Sequence, residues 1–327
     1  MSVLLTGGTG FIGLNVAEAL LDEGVSVIIY AASPPRPEAE AALQGKRGKC
    51  VFVRGDVLDK SQLDSVWREH GIASVIHGAA VTPDERRELD GGAGVVQVNC
   101  IGTLNVLETA LKHRADKFVY LSSIAVYGTS TVSEPLLDEE GTARKPENLY
   151  EITKFAAERM ALRYKQLTGL NVTAARLGDI FGSWEYETGV RDVMSAPFQT
   201  TRMAMLGRQA WLPRRGHKSW VYCRDVAGAV VALWKASALK HEVYNVSSSY
   251  QWSVADWCGL LAERYPDFSY AIAKSPEEAN VRLFADNAPM NIDRLREDTG
   301  FEARYDMRQA FDDYMNWADK HAAMITG

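Results

Sequence analysis

Cysteine is scarce and dispersed in this sequence of 327 residues. The four cysteines, Cys50, Cys100, Cys223 and Cys258, form no C-x-x-C pair. This spacing argues against a zinc site and against a disulfide framework, and it favours a reducing compartment. The six histidines are also scattered, so a metal-centred mechanism is not expected. We therefore predict a cytoplasmic protein without a metal site.

Long apolar runs and an excess of positive charge are missing as well. The longest apolar run, Val226 to Trp234, has nine residues, far fewer than the roughly 20 that a membrane-spanning helix needs. The first residues enter a strand pattern at once, so no signal peptide is expected. Asp plus Glu is 42 against 36 for Lys plus Arg, a net charge of −6. Because nucleic-acid-binding proteins usually have the opposite balance, neither a membrane nor a nucleic acid is expected as a partner.

The first 175 residues alternate short Val/Ile/Leu-rich runs with longer segments of helical spacing. The predicted strands are Val3–Thr6, Val25–Tyr30, Cys50–Arg54, Ser74–His77, Lys117–Leu121 and Asn171–Arg176. The predicted helices between them are Phe11–Glu23, Ser61–His70, Val95–His113 and Tyr150–Leu167. Such alternation is typical of βαβ units. The sequence therefore predicts an α/β protein with a Rossmann-type, doubly wound parallel sheet.

The pattern loosens after Arg176. Residues 177–218 are predicted to be loop-rich, followed by a helix over Asp225–Ser237 and a strand over Val243–Val246. We predict a dinucleotide-binding domain of residues 1–176 plus 219–247. Residues 177–218 plus 248–327 are predicted to form a smaller, mixed α/β substrate-binding lobe.

A glycine-rich segment, Thr6-Gly7-Gly8-Thr9-Gly10-Phe11-Ile12-Gly13, joins the first strand to the first helix. Gly7 and Gly10 permit a tight turn and a close approach to a pyrophosphate, and Gly13 lets the helix pack against the strand. The helix N-terminus attracts the phosphate charge. We therefore expect Gly7, Gly10, Phe11, Ile12 and Gly13 to bind a dinucleotide; the alternative is a glycine-rich turn without a ligand.

The second strand ends without the acid that usually binds the adenosine ribose. The sequence there is Tyr30-Ala31-Ala32-Ser33. Without a carboxylate near Ala31, repulsion of a 2′-phosphate is relieved, and Arg36 follows closely enough to contact one. The cofactor is thus NAD or NADP, with NADP slightly favoured; the alternative is that Arg36 is a solvated loop residue. Asp56, after the third strand, is placed to receive the adenine amino group.

A tyrosine and a lysine, Tyr150 and Lys154, lie at i and i+4 of a predicted helix. A phenol ordinarily titrates near 10, and a fixed ammonium group nearby favours the phenolate. Tyr150 can then exchange a hydroxyl proton while a hydride moves to or from a nicotinamide. Upstream, Ser122 and Ser123 stand at the carboxyl end of the fifth strand, where doubly wound sheets bind ligands.

Together these motifs resemble the extended short-chain dehydrogenase/reductase family, which contains NAD-dependent sugar epimerases and dehydratases. The resemblance covers residues 1–247 well and the remainder weakly. It rests on T-G-x-x-G-x-x-G, the strand-end serine and Y-x-x-x-K, in this order and spacing. Supporting matches are Gly55-Asp56-Val57, His77-Gly78-Ala79-Ala80 and Asn99 within Val98–Thr103.

The resemblance implies a role for each matching residue. Tyr150 would be the acid/base. Lys154 would bind the nicotinamide ribose and lower the tyrosine pKa. Ser123, rather than Ser122, would hydrogen-bond the reacting oxygen, and Asn99 would support Lys154. Val57 and Ala79 would join the cofactor site. The helices near 95–113 and 150–167 would pack across a two-fold axis, giving a homodimer.

Three departures from the family pattern bear on the substrate. Dehydratases carry Thr-Asp-Glu where this chain has Ser123-Ile124-Ala125, so dehydration is disfavoured. Nucleotide-sugar epimerases carry an asparagine where this chain has Asp179, and a carboxylate there would repel a diphosphate. A phosphate-binding arginine is replaced by Lys218, which binds phosphate only as a point charge. The candidate substrate contacts are Thr82, Ser123, Asp179 and Lys218.

These observations favour an NAD(P)-dependent oxidoreductase that acts on a secondary alcohol or ketone of a small sugar, polyol or sugar acid. A sugar 4-epimerase of the same family, acting on a nucleotide-activated or free sugar through the same residues, is the first alternative. A regulatory protein that senses NAD(P) is an alternative of another class. The intact set of Ser123, Tyr150 and Lys154 argues against it.

Overall fold

Seven parallel strands form one sheet in the computed structural model, which describes residues 2–248 and 250–327. The strand order is β11-β6-β5-β4-β1-β2-β3. These strands are β1 Ser2–Thr6, β2 Ser26–Ala31, β3 Cys50–Arg54, β4 Ile72–His77, β5 Lys117–Ser123, β6 Val172–Leu177 and β11 Val243–Val246. The predicted Rossmann-type, doubly wound parallel sheet is confirmed.

Six shorter strands pair outside this sheet. They are β7 Asp179–Phe181, β8 Ala210–Leu212, β9 His217–Lys218, β10 Trp220–Tyr222, β12 Trp252–Ser253 and β13 Tyr270–Ile272. The pairs are β7 with β10, β9 with β12, and β8 with β13. They build the region that faces the carboxyl ends of the large sheet.

Helices cover both faces of the sheet and fill the second half of the chain. The α-helices are α1 Phe11–Asp22, α2 Pro37–Gln44, α3 Lys60–His70, α4 Glu85–Val96, α5 Thr103–Lys112, α6 Ser130–Ser133, α7 Leu149–Thr168, α8 Ala196–Met205, α9 Cys223–Lys235, α10 Val254–Arg264, α11 Asp293–Thr299, α12 Met307–Lys320 and α13 Ala322–Thr326. A π-helix spans Gln97–Gly102, and 3₁₀ turns span Ile124–Tyr127 and Pro276–Glu278.

The core lies on both sides of the sheet because successive strand residues face opposite ways. In β1, Val3 and Leu5 belong to the core on the side of α1 and α9, whereas Leu4 belongs to the core on the side of α3, α5 and α7. Burial on both faces explains the continuous apolar runs of these strands. The same arrangement brings the carboxyl ends of β1, β2, β4, β5 and β6 to one edge, where ligands of such sheets bind.

The predicted helix over Val95–His113 is interrupted. The chain enters α4 at Glu85, widens into the π-helix at Gln97 and continues as α5. A Cβ atom at Gly102 would lie 2.5 Å from the Val57 side chain, so glycine lets the end of the π-helix approach Val57 closely. Widened turns of this kind are frequent at functional sites.

Residues 177–218, predicted to be loop-rich, contain α8 as well as β7, β8 and β9. Ser195 caps α8 by accepting a hydrogen bond from the Phe198 amide at 3.2 Å. Pro197 stands in the first turn of α8, where its missing N–H removes no helical hydrogen bond. The prediction underestimated the regular structure of this segment.

Candidate active site

The glycine-rich segment folds as a phosphate loop between β1 and α1. Gly7 has a φ of +67°, a conformation that favours glycine. At Gly13 a Cβ atom would lie 2.3 Å from the Gly7 carbonyl oxygen. Among the described residues no side chain caps the first turn of α1, so its N–H groups face the loop without a side-chain acceptor. The loop therefore fits a dinucleotide pyrophosphate.

One cavity of about 960 Å³ runs from this loop to the smaller strands. The predicted cofactor residues Gly7, Gly10, Phe11, Ile12, Gly13, Ala31, Arg36, Asp56, Val57, Ala79 and Lys154 all line it. The predicted substrate residues Thr82, Ser123, Asp179 and Lys218 line it too, as does Tyr150. The structure thus brings together two groups of residues that the sequence predicted separately.

Tyr150 stands in the first turn of α7. That turn is fixed by a capping box between Asn148 and Glu151. Burial raises the pKa of Tyr150, whereas hydrogen bonds with the Ser123 and Thr82 hydroxyls and the positive charge of Arg191 lower it; the net direction is upward. The phenol is therefore enclosed, oriented by two hydroxyls and neutral at neutral pH in the ligand-free protein.

Lys154 is 4% exposed. Its Nζ donates a hydrogen bond to the Leu121 carbonyl oxygen at 2.6 Å and lies 4.5 Å from the centre of the Tyr120 ring. Burial lowers the pKa of Lys154 to about 8. The ammonium group is thus held against the end of β5, whereas the cation that lowers the Tyr150 pKa is Arg191.

Asn99 lies in the π-helix, behind the cavity wall. Its Oδ1 accepts a hydrogen bond from the Val81 amide at 2.8 Å, and its Nδ2 donates to the Val81 carbonyl and to Thr153 Oγ1, both at 3.0 Å. Asn99 therefore fixes the residue before Lys154 and the chain before Thr82, rather than contacting the ammonium group itself.

A buried histidine links Asn99 to the phosphate loop. His77 Nδ1 lies 2.6 Å from Thr6 Oγ1, and its Nε2 lies 3.0 Å from Thr103 Oγ1. Since Thr103 donates its hydroxyl proton to the Asn99 carbonyl at 2.7 Å, His77 Nε2 must be the donor. Burial lowers the pKa of His77 to about 3, with a contribution from the charge of Lys154. The imidazole is therefore neutral and connects the loop with the π-helix.

The two serines at the end of β5 face different surroundings. Ser122 Oγ donates to Glu158 Oε2 at 2.6 Å. Glu158 also accepts two hydrogen bonds from the Arg176 guanidinium, at 2.7 and 3.0 Å, and both side chains are buried. Ser123 instead hydrogen-bonds the phenol of Tyr150. Ser122 thus belongs to a buried structural network, and Ser123 is the serine beside the tyrosine.

Asp179 and Lys218, predicted separately as substrate contacts, form an ion pair with each other. Lys218 Nζ lies 2.9 Å from Asp179 Oδ1, and Asn287 Nδ2 donates to the other carboxylate oxygen. The expectation that Asp179 presents an uncompensated charge to a diphosphate is wrong, because the neighbouring ammonium group neutralises it. Lys218 is correspondingly not a free phosphate ligand.

Arg36 is exposed, but its guanidinium carbon lies 4.6 Å from the centre of the Tyr186 ring. Tyr186 in turn donates a hydrogen bond to the Thr9 carbonyl oxygen of the phosphate loop at 3.0 Å. Arg36 is therefore held beside the loop by a cation–π contact. Sequence reasoning missed Tyr186 because it lies 150 positions further along the chain, in a segment without periodicity.

Other cavity residues were not predicted either. Arg282 lines the cavity with its side chain 62% exposed, 3.7 Å from Asp84. Phe284 lines it as well and is 63% exposed. Arg191 and Glu185 belong to residues 183–195. We call this stretch the covering segment, because it lies over the phosphate loop.

No helix within the described ranges is both long and apolar enough to cross a membrane. Across the same part of the chain, no three His, Cys, Asp or Glu side chains are grouped so that they could hold a metal ion.

Comparison with known proteins agrees with this geometry. The model of the NAD dependent epimerase/dehydratase family matches residues 3–247. A dTDP-glucose 4,6-dehydratase from Streptomyces niveus is 30% identical over 259 residues, covering 75% of this chain and 72% of that protein. A putative UDP-glucose 4-epimerase from Methanocaldococcus jannaschii is 26% identical over 326 residues, covering 96% and 97%.

A solved structure shares the fold over the whole chain. The UDP-glucose 4-epimerase of Thermotoga maritima, crystallised with UDP-glucose, superimposes with a TM-score of 0.81 at 22% identity, covering 98% of this chain and 100% of that one. The family match spans more than half of the chain and includes the phosphate loop, Ser123, Tyr150 and Lys154. The chain is therefore an enzyme of the NAD-dependent epimerase/dehydratase family, within the extended short-chain dehydrogenases/reductases that its motifs resemble.

Proposed function

We propose that this enzyme is a 4-epimerase of a nucleotide-activated sugar. The observation that carries the proposal is the placement of Tyr150, which meets the Ser123 and Thr82 hydroxyls in a cavity shared by the phosphate loop and the smaller strands. This revises the order of the sequence-based alternatives, in which a dehydrogenase of a small sugar came first. The epimerase relatives and the neutralised Asp179 both support the revision.

In the proposed reaction, the phenolate form of Tyr150 accepts the proton of the sugar C4 hydroxyl while Ser123 holds the oxygen. NAD would be held by the phosphate loop and would supply the acceptor and donor of the C4 hydride. The resulting 4-keto sugar turns in the cavity, and Tyr150 gives its proton back to the oxygen after the hydride has reached the opposite face of C4. Protons and electrons balance without an external oxidant, so no net NADH forms.

Positive charge in the cavity wall supports the binding of a diphosphate group. Arg282 lines the cavity with its side chain 62% exposed and its Nη1 3.7 Å from Asp84 Oδ2, whereas Lys218 is paired more closely, with Asp179. Exposed Phe284 offers an apolar face of the kind on which a nucleobase stacks. The Thermotoga maritima epimerase was crystallised with UDP-glucose. We propose that the present chain acts on a nucleotide sugar of the same class.

We do not propose that this enzyme eliminates water from its sugar substrate. Ser123 is followed by Ile124 and Ala125, which form a 3₁₀ turn. Neither side chain can exchange a proton, so this turn supplies no acid and base for eliminating water.

Oxidation of a free sugar or polyol remains the second candidate function. Asp84, Glu85 and Glu88 line the cavity, and carboxylates accept hydrogen bonds from sugar hydroxyls. Net conversion of NAD or NADP would distinguish this activity from epimerisation.

For the cofactor we propose NAD or NADP, with Arg36 as the residue that would contact a 2′-phosphate. Its position over Tyr186 beside the phosphate loop supports this role. Arg36→Ala should weaken NADP binding about tenfold and leave NAD binding unchanged, as measured by calorimetry. Equal effects on both cofactors would remove Arg36 from 2′-phosphate recognition.

We also propose a homodimer through residues 95–113, which comprise the end of α4, the π-helix and α5, and through α7. Val96, Ile101 and Ile152 are exposed on these elements, and a partner would cover them. We further propose a cytoplasmic location. For the domain organisation, we propose one domain of residues 1–176 plus 219–247 and a smaller lobe of residues 177–218 plus 248–327. The pairing of β11 with β6 supports the return of the chain to the first domain.

The test of the proposed activity is a substrate panel with two readouts. UDP-sugars and free sugars are incubated with the protein and NAD or NADP, and products are followed by NMR and by absorbance at 340 nm. We expect C4 epimers of a UDP-sugar without net absorbance change. Stoichiometric NADH or NADPH formation with a free sugar would favour the dehydrogenase instead.

A further inference from the structure

The covering segment is built directly onto the chain that carries Thr82. The Thr82 amide donates to the Val190 carbonyl at 2.8 Å, and the Asp192 amide donates to the Thr82 carbonyl at 3.2 Å. This parallel bridge places Arg191 opposite Thr82. Since the Thr82 hydroxyl hydrogen-bonds the phenol of Tyr150, the covering segment lies one residue from the catalytic tyrosine.

The guanidinium of Arg191 is held in one place. Its Nη1 lies 3.2 Å from Glu185 Oε1, and its Nε donates to the Val193 carbonyl at 3.0 Å. Its carbon lies 5.6 Å from the centre of the Phe11 ring, at the start of α1. Glu185 is 1% exposed and accepts hydrogen bonds from the amide and the hydroxyl of Ser195, both at 2.6 Å. A fixed, partly buried cation is thus part of the cavity wall.

The charged and titratable groups around Tyr150 come from several elements: Tyr120 on β5, Glu88 on α4, Glu151 and Lys154 on α7, and Glu185 and Arg191 on the covering segment. Glu88 accepts a hydrogen bond from the Leu149 amide at 3.0 Å, and the Lys154 ammonium group is directed at Leu121. Of these groups, Arg191 is the cation whose positive charge lowers the pKa of the Tyr150 phenol. A cation stabilises a phenolate relative to the neutral phenol.

We propose that Arg191 is a positioning residue of the acid/base tyrosine, stabilising the Tyr150 phenolate from the covering segment that is bonded to Thr82. The proposal rests on the proposed function only for the catalytic role of Tyr150.

A tyrosinate titration tests the proposal without any substrate. Absorbance at 295 nm is recorded against pH for the full-length protein, and subtraction of the Tyr150→Phe curve isolates Tyr150. We expect Arg191→Gln to raise the midpoint by about one pH unit, and Arg191→Lys to raise it less.

Arg87→Gln is the matched control. Arg87 also holds the covering segment, donating to the Gly189 carbonyl at 2.7 Å and to Asp192 Oδ1 at 3.0 Å, but it approaches the segment from outside the cavity wall. A rise of the Tyr150 titration midpoint in Arg191→Gln, without a rise in Arg87→Gln, supports the proposal. An unchanged midpoint in Arg191→Gln, or an equal rise in Arg87→Gln, overturns it. Because the titration needs no turnover, failure of the substrate panel would contradict the proposed epimerase activity and not this inference.

Discussion

Lys218 Nζ lies 2.9 Å from Asp179 Oδ1 in the wall of the cavity. Within the pair, the two opposite charges compensate each other in the wall of the cavity in which we propose that a nucleotide sugar binds. A carboxylate at this point does not by itself exclude such a ligand, because its repulsion is offset at close range. Under the proposed function, we therefore expect the discrimination between a nucleotide sugar and a free sugar to depend on Lys218, Asp179 and the exposed Arg282 together.

Breaking this pair from either side should have opposite effects on diphosphate binding. Asp179→Asn leaves the Lys218 charge unpaired and should tighten the binding of UDP several-fold. Lys218→Met leaves a carboxylate unpaired and should weaken it by tenfold or more. Calorimetric titration with UDP measures both. A weakening in Asp179→Asn would mean that the carboxylate contacts the ligand directly.

Gly13 should tolerate no side chain. In Gly13→Ala the new Cβ atom would lie 2.3 Å from the Gly7 carbonyl oxygen and 2.6 Å from Gly8 Cα, so the phosphate loop must shift. We expect the affinity for NAD to fall at least tenfold. Gly45→Ala is the control, because nothing lies within 4 Å of its Cβ position and its φ of −79° suits alanine. Equal NAD affinities in the two variants would contradict the assignment of the loop.

His77 should make the protein sensitive to acid. Burial lowers the pKa of His77 to about 3, whereas an unfolded chain binds this proton near pH 6.5. Between these values the unfolded state holds one proton more than the native state, so stability falls as the pH falls. About 3 kcal/mol should be lost between pH 6.5 and pH 4.

Urea unfolding at a series of pH values measures this loss. In His77→Gln the pH dependence between 4 and 6.5 should be shallower by one proton, although the variant is less stable at every pH. His217→Gln, at an exposed position, should keep the full slope. An unchanged slope in His77→Gln would show that another group carries the acid sensitivity.

The buried pair of Glu158 and Arg176 should be important for stability. Removing one partner of such a pair leaves an uncompensated charge. Glu158→Gln should therefore lower the free energy of unfolding by about 3–5 kcal/mol. The exposed pair of Arg86 and Asp90, with side chains 88% and 73% exposed, is the control, and Arg86→Ala should leave the urea midpoint unchanged. Similar losses in both variants would be incompatible with the buried network.

Residues whose roles follow from local spacing could be predicted from the sequence. The strand cores are apolar runs because both faces of the sheet are covered. The phosphate loop is read from glycines that lie within eight positions of one another. Tyr150 and Lys154 are one helical turn apart, and Ser123 follows directly from the end of β5.

Relationships across long stretches of chain could not be predicted. Asp179 and Lys218 were each placed in the site, but their ion pair depends on how β7, β9 and β10 lie together. Arg191 meets Thr82 over more than 100 positions, through a loop that has no periodicity. The π-helix was missed because a widened turn leaves the apolar spacing of a helix nearly unchanged over a few residues.

The most direct test of the proposed epimerase reaction follows a label at C4. UDP-glucose carrying deuterium at C4 is incubated with the protein and NAD, and the products are followed by NMR. If Tyr150 exchanges only the hydroxyl proton, the C4 epimer should form with its deuterium retained. Tyr150→Phe should slow its formation at least 100-fold, and Tyr164→Phe, on the same helix but bonded to Glu108, should not. Loss of the deuterium to solvent, or an equal rate in Tyr150→Phe, would contradict the proposed reaction.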